Sequence, residues 1–193
     1  MADAKGRKSL IIIIAIIAVV LLMSYSFVKG TYNQLVALDE GVKAAWAQVE
    51  NQLQRRYDLI PNYVNVVKGY AAHEKEVLVT VTEARARVGQ ARTIEEKIEA
   101  NNSLSSALSR LLVVVERYPD LKANQNFMRL QDELAGTENR IATERRRYNE
   151  AVQSYNTRIR SFPDNILAGM FGFSRAGFFQ APGTATQAPK VSF

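Results

Sequence analysis

The sequence predicts an all-α protein: an antiparallel, up-and-down four-helix bundle with long coiled-coil-like helices, preceded by one N-terminal transmembrane helix. Three observations carry this. Residues 10–23 are fourteen unbroken apolar residues. Beyond Leu35, apolar side chains recur every three or four positions, the helical period. No segment alternates apolar and polar with period two, so no strand is predicted.

Composition narrows the function classes. The chain has 193 residues, enough for one or two domains, with 47% hydrophobic and 23% charged residues. It has no Cys, which removes disulfide frameworks, thiol nucleophiles, iron–sulfur clusters and Cys-zinc sites. A single His removes most His-based metal sites. The net charge is +6: two of those charges come from Asp3, Lys5, Arg7 and Lys8, one from Lys29, and the rest are scattered. Nucleic-acid binding wants a concentrated basic face, so none is expected.

The first element is read as a membrane anchor over residues 10–28, following a short basic N-terminus at 1–9. The apolar run extends from Leu10 through Ser24, Tyr25, Ser26 and Phe27 to Val28. Its nineteen residues make roughly 28 Å of helix, against a hydrocarbon core of ~30 Å. Tyr25 and Phe27 fall where an aromatic interface belt would lie. A cleavable signal peptide is the competing reading, with Ser24-Tyr25-Ser26 as a weak small-x-small site. The length of the run, the missing Ala-x-Ala and the helical pattern that follows favour an uncleaved anchor. Lys5, Arg7 and Lys8 precede the span and only Lys29 follows closely. The positive-inside rule then puts the N-terminus in the cytoplasm and the large domain outside it.

The bundle is placed at 31–162. Its first stripe is Leu35, Leu38, Val42, Ala45, Val49, Leu53, Tyr57 and Ile60, widened by Trp46. It continues through Val64, Val67, Ala71, Leu78, Val81 and Val88. Pro61 interrupts it; a helix-interior proline loses a hydrogen bond and costs ~3 kcal/mol. A break or sharp kink is expected there, with Asp58 able to cap a new helix. Gly89 reads as a stop. Thr93-Ile94-Glu95-Glu96 has the form of a capping box, opening a helix through Ile94, Ile98, Asn101, Leu104, Leu108, Leu111 and Val115. Tyr118-Pro119-Asp120 ends it. The last helix carries Phe127, Leu130, Leu134, Ile141, Tyr148, Val152, Tyr155, Ile159 and Phe162, with polar Thr137 and Glu144 in the stripe. Such stripes are buried on one another in a bundle or completed by other chains in a coiled coil.

These residues carry a resemblance. Tyr32-Asn33-Gln34-Leu35-Val36, Ala45-Trp46-Ala47-Gln48-Val49-Glu50 and Gln54-Arg55-Arg56-Tyr57-Asp58-Leu59-Ile60-Pro61-Asn62 resemble the LemA family. So do Val67-Lys68-Gly69-Tyr70 with His73-Glu74, Glu116-Arg117-Tyr118-Pro119-Asp120-Leu121-Lys122-Ala123, Thr137-Glu138-Asn139-Arg140-Ile141-Ala142, Arg147-Tyr148-Asn149 and Phe162-Pro163. The resemblance implies a bacterial membrane protein with one N-terminal transmembrane helix, a helical bundle and a poorly defined molecular role. It also implies a partner of the HtpX membrane-protease type. The family is commonly described with its short N-terminus outside the cell; the charge flanks here read the opposite way.

Candidate sites follow. His73-Glu74-Lys75-Glu76-Val77 begins like His-Glu-x-x-His, but position 77 is Val, and a zincin needs both imidazoles on one face. His73 is read as a partly exposed helix residue or an interhelix hydrogen-bond partner. Glu138, Asn139, Arg140, Tyr148 and Asn149 form a polar concentration that suits a partner-docking surface or, preferably, a network fixing helix register. Arg145-Arg146-Arg147, Arg55-Arg56 and Arg85-x-Arg87 could take anionic headgroups, although Glu144 and Glu150 favour ordinary helix salt bridges. The apolar aromatic segment at 163–179 holds Phe171, Phe173, Phe178 and Phe179, candidates for membrane or subunit contact; capping of the bundle end is the competing use. An Ala/Pro/Gly/Thr-rich flexible tail is expected at 180–193.

The sequence thus predicts no catalytic, cofactor or metal site. It predicts a single-pass protein of the bacterial inner membrane, held through Leu10 to Val28, acting as a non-catalytic scaffold or adaptor that assembles with itself or another membrane protein. An envelope lipid-binding module is the alternative.

Overall fold

A computed structural model of the chain describes residues 2–180, with side chains from residue 11 onward. The flexible tail expected at 180–193 lies, apart from Gln180, outside the described residues, as do the side chains of the basic N-terminus. The described residues are helical with no strand: α1 Ala2–Tyr70, α2 Lys75–Gln90, α3 Ile94–Val115, α4 Pro119–Lys122, α5 Gln125–Arg160 and α6 Asp164–Met170. They fall into two compact units. One takes the described residues of Met1–Ala44 with Glu150–Gly177; the other takes Ala45–Asn149 with the described residues of Phe178–Phe193.

The second unit is the four-helix bundle. Its core joins Ile60, Tyr63 and Val67 of α1, Leu78, Val81 and Ala84 of α2, Leu104, Ala107, Leu111 and Val115 of α3, Leu121 of α4 and Phe127 of α5. Full burial of each large apolar side chain contributes about 1.5–3 kcal/mol. Cross-helix contacts fix the directions. Glu50 pairs with Lys97, Arg56 with Ser105, and Glu74 with Arg117, so α1 and α3 run the same way. Tyr63 meets Phe127 with ring centroids 5.2 Å apart and Arg56 meets Glu138, while Tyr57 meets Arg85 across the short turn from Tyr70 to Lys75, so α5 and α2 run against α1.

The turns follow the sequence closely. Thr93 Oγ1 accepts from the Glu96 N–H at 3.1 Å, and the Glu96 carboxylate accepts from the Thr93 N–H at 3.1 Å, completing the predicted capping box. Helix α3 ends at Val115, and Pro119 begins the single turn of α4. Helix α2 includes Gly89 and ends one residue later. A Cβ on Gly89 would sit 3.1 Å from the Tyr57 hydroxyl, so glycine leaves that ring its place.

Pro61 corrects the expectation of a break: α1 runs through it to Tyr70. The missing Pro61 N–H frees the carbonyl four residues back, that of Tyr57. Arg85 Nε of α2 donates to this carbonyl at 3.1 Å, and the same guanidinium lies 3.8 Å over the Tyr57 ring. A side chain from the neighbouring helix replaces the lost backbone donor, so the helix survives its proline.

The other unit pairs the first part of α1 with the end of α5, running antiparallel: Arg158 Nη2 donates to Gln34 Oε1 at 2.6 Å and Thr31 Oγ1 to Asp164 Oδ1 at 3.4 Å. After α6 the chain doubles back along α5. The Tyr155 hydroxyl donates to the Ser174 carbonyl at 2.9 Å, and the Asn156 carboxamide holds both the N–H and the C=O of Ala176.

Candidate functional site

The bundle's polar centre is Arg56, only 2% exposed. Its Nη1 donates to Glu138 Oε2 at 2.6 Å and to Ser105 Oγ at 2.8 Å; its Nη2 donates to Asn101 Oδ1 at 2.7 Å and to the Asn101 carbonyl at 3.2 Å. Asn101 in turn donates to the Lys97 carbonyl at 2.8 Å. Burial draws the Arg56 pKa down, opposed by the Glu138 carboxylate. One residue on α1 thereby ties α3 to α5, which suits register fixing.

Beside it lies a cavity of about 300 Å³ lined by residues of all three helices, among them Tyr63, Leu108, Leu112, Leu134 and the Arg56–Glu138 pair. Among the described residues, the buried Tyr63 hydroxyl meets no hydrogen-bond partner, nor does the buried Arg56 Nε. Burial pushes the Tyr63 phenol up to about 12, so it stays neutral at ordinary pH.

A second cluster surrounds Phe179. The Asn149 carboxamide accepts from the Phe179 N–H at 2.8 Å and donates to its C=O at 3.1 Å. The Phe179 ring, 4% exposed, lies 6.4 Å from Trp46 and 3.9 Å under the Arg145 guanidinium. Trp46 also meets Tyr148 edge-to-face at 5.4 Å. Arg145 donates onward to the Gln180 carbonyl at 3.3 Å. A cation over a ring plus a bidentate amide makes this a seat for an aromatic residue in extended chain.

The predicted site residues therefore separate. Glu138 belongs to the Arg56 network, and Tyr148 and Asn149 belong to the Phe179 seat. Asn139 and Arg140 are exposed on α5, Arg140 reaching Thr137 Oγ1 at 3.4 Å. His73 is exposed in the turn between α1 and α2 rather than in a helix. Its neighbour Glu74 accepts from Arg117 at 2.8 Å and from the Tyr118 hydroxyl at 3.0 Å. Among the four phenylalanines, Phe179 is buried, Phe171 and Phe178 are each 48% exposed, and Phe171 and Phe173 set their edges on Tyr32 at 4.9 and 6.0 Å. Three of the arginines read as anion ligands are engaged inside the fold, Arg56, Arg85 and Arg145 as above, while the exposed Arg147 pairs with Glu144 on its own helix at 2.7 Å.

Sequence reasoning read Arg56 as an anion ligand or a helix salt bridge rather than a core residue, and passed over Tyr63. Both were legible in the spacing: the buried residues of this stretch are 49, 53, 56, 60, 63 and 67, an unbroken alternation of four and three. Among the described residues, no three His, Cys, Asp or Glu side chains gather as a metal site would need.

The model of the LemA family matches residues 45–193. Two magnetosome proteins of Paramagnetospirillum magneticum, MamQ 1 and MamQ 2, are each similar at 28% identity over 91% of this chain and 74% of their own length. A protein LemA of Metamycoplasma hominis is 25% identical over 81% of this chain and 72% of its own.

Proposed function

The chain belongs to the LemA family, and from that premise we propose that it is a non-catalytic, membrane-anchored helical scaffold or adaptor that assembles with further copies or with another membrane protein. One observation carries the reading. Helix α1 runs from an apolar stretch of mean hydropathy 2.9, none of it buried, directly into the core of the bundle. Leu22 and Met23 are 66% and 68% exposed there. Such a surface suits lipid rather than water. The buried polar residues of the bundle hold helices to one another, which suits a rigid body that presents surfaces.

The bilayer is the bacterial inner membrane, with the N-terminus in the cytoplasm and the bundle outside, as the basic flank before the span supports. A cysteine in place of the exposed Asn126 reports this: reaction with a membrane-impermeant thiol reagent in intact spheroplasts is expected, and labelling only after lysis reverses the topology.

The role is tested by crosslinking the tagged full chain in cells and identifying the adducts by mass spectrometry. Self-adducts or one dominant membrane partner, a protease of the HtpX type among them, are expected. Monomer alone at native expression, under crosslinkers of several lengths, rejects the assembly reading.

A further inference from the structure

We propose that α6 is an interfacial foot: its exposed apolar face beds into the headgroup layer of the same bilayer that α1 crosses. The inference rests on the reading of residues 11–28 as the anchor, and all of its residues belong to one compact unit.

The face is made by Phe162, Ile166 and Met170, four residues apart, with Phe171 beside them. They are 81%, 55%, 73% and 48% exposed. Ile166 and Met170, four apart within α6, share one side of that helix, and Phe162 stands in the turn that leads into it. Four large apolar side chains turned outward together are a contact surface in search of its medium.

The fold says what that medium is. Asp164, the first residue of α6, is 5% exposed and held by Thr31 at 3.4 Å and by Arg158 at 2.6 Å. Phe171 rests on Tyr32 at 4.9 Å. Thr31 and Tyr32 stand one turn beyond Val28, where the apolar span ends. Three residues of helix advance about 4.5 Å, and the polar layer on each side of the hydrocarbon is about 5–7 Å deep. The chain reverses here: α5 ends at Arg160 and the returning chain is already tied to α5 at Ser174. Residues 161–172 are thus the turn of this unit that is fastened to α1 beside its exit from the span.

Charge agrees with position. Lys29, Arg160 and Arg175 are exposed around the turn, while the nearby acid, Asp164, is buried and already paired. A basic collar around an aromatic and aliphatic face is the composition of an interfacial element that prefers anionic headgroups. A second copy of the chain would also cover apolar surface, but it would not account for the collar or for the placement beside the span.

The absence of Cys makes the test direct. Three single-cysteine variants of the full chain, Met170→Cys, Tyr25→Cys and Arg117→Cys, carry an environment-sensitive fluorophore in vesicles of phosphatidylcholine and phosphatidylglycerol. Quenchers are placed at shallow and deep positions on the lipid. The Met170 label is expected to shift to the blue and to be quenched at least threefold more by the shallow quencher than the Arg117 label. The Tyr25 label should be quenched by lipid as well. In vesicles lacking phosphatidylglycerol, or with Arg160→Glu and Arg175→Glu together, the Met170 quenching should fall. A Met170 label as wet as the Arg117 label, with Tyr25 still quenched, overturns the foot and leaves the anchor standing. A blue-shifted Met170 label that no lipid quencher reaches means a protein partner covers α6, and also overturns it. If Tyr25 is unquenched too, the anchor reading fails and the foot falls with it.

Discussion

Each unit holds an arginine–carboxylate pair with one partner more than nine-tenths buried, and the two are buried from opposite ends. In the bundle the arginine is inside: the Arg56 side chain is 3% exposed and that of Glu138 50%. In the other unit the acid is inside: Asp164 is 7% exposed and Arg158 41%. The inner partner sets the cost of disruption, because it is the one left without water when its mate is removed. It also sets how many helices depend on the pair. Arg56 has five donors and spends four bonds on two other helices; Asp164 can only accept, and it does so from Thr31 and Arg158.

The largest effect expected from this contrast is that of Glu138→Ala. It strands a buried guanidinium, and we expect about 3 kcal/mol of lost stability by urea unfolding. Arg158→Ala, which strands Asp164 with the hydroxyl of Thr31, should cost about 2 kcal/mol. Arg56→Met removes the buried charge and keeps apolar volume, and should cost less than Glu138→Ala although it deletes more bonds. If Arg56→Met proves the more damaging, the inner partner does not set the cost and the comparison breaks.

A smaller effect concerns the proline. Arg85→Ala removes the donor that serves the Tyr57 carbonyl and should cost about 1–2 kcal/mol. In a Pro61→Ala background the backbone N–H returns and the same change should cost less than half as much. Equal costs in a double-mutant cycle would show that Arg85 acts only through its stacking on the Tyr57 ring.

The smallest effect is the most discriminating. The Tyr63 hydroxyl is buried with no partner among the described residues, so Tyr63→Phe should change neutral-pH stability by less than about 0.5 kcal/mol or raise it. The phenol is raised in the fold to about 12 from 10.0. The folded state therefore holds its proton more tightly than the unfolded state. The contribution is whole below pH 10 and is lost as pH rises through 12. Tyr63→Phe should soften the alkaline loss measured by urea unfolding between those values. A loss as steep as in the parent would assign it to other tyrosines.

How much of this was legible in the sequence depends on range. The apolar first helix, the capping box at Thr93 and the stop at Tyr118-Pro119 are local and could be read directly. The stripe from Leu35 to Ile60 was readable as apolar, yet reading only apolar residues shifted attention to Tyr57 and Val64. The core in fact takes Arg56 and Tyr63, which hold the same heptad places as Val49 and Val42. In the sequence Pro61 stands between a break and a kink, because the donor that keeps the helix whole, Arg85, lies on another helix and leaves no local mark. Asn149 stood out as polar excess, but its partner is the backbone of Phe179, and a backbone has no signature in a sequence.

The seat of Phe179 has a consequence for the order in which the protein is made. Synthesis delivers Trp46 early and Phe179 long afterwards, with α2, α3, α4 and α5 in between. Helices α2 and α3 can pack as they emerge, since their contacts are close in sequence. Trp46 and Tyr148 gain the ring packed on Trp46 only when Phe179 arrives and Asn149 closes on its amide. The last stage in building the bundle is therefore a latch, and a ribosome that stalls before residue 179 releases a bundle whose tryptophan still lacks its cover.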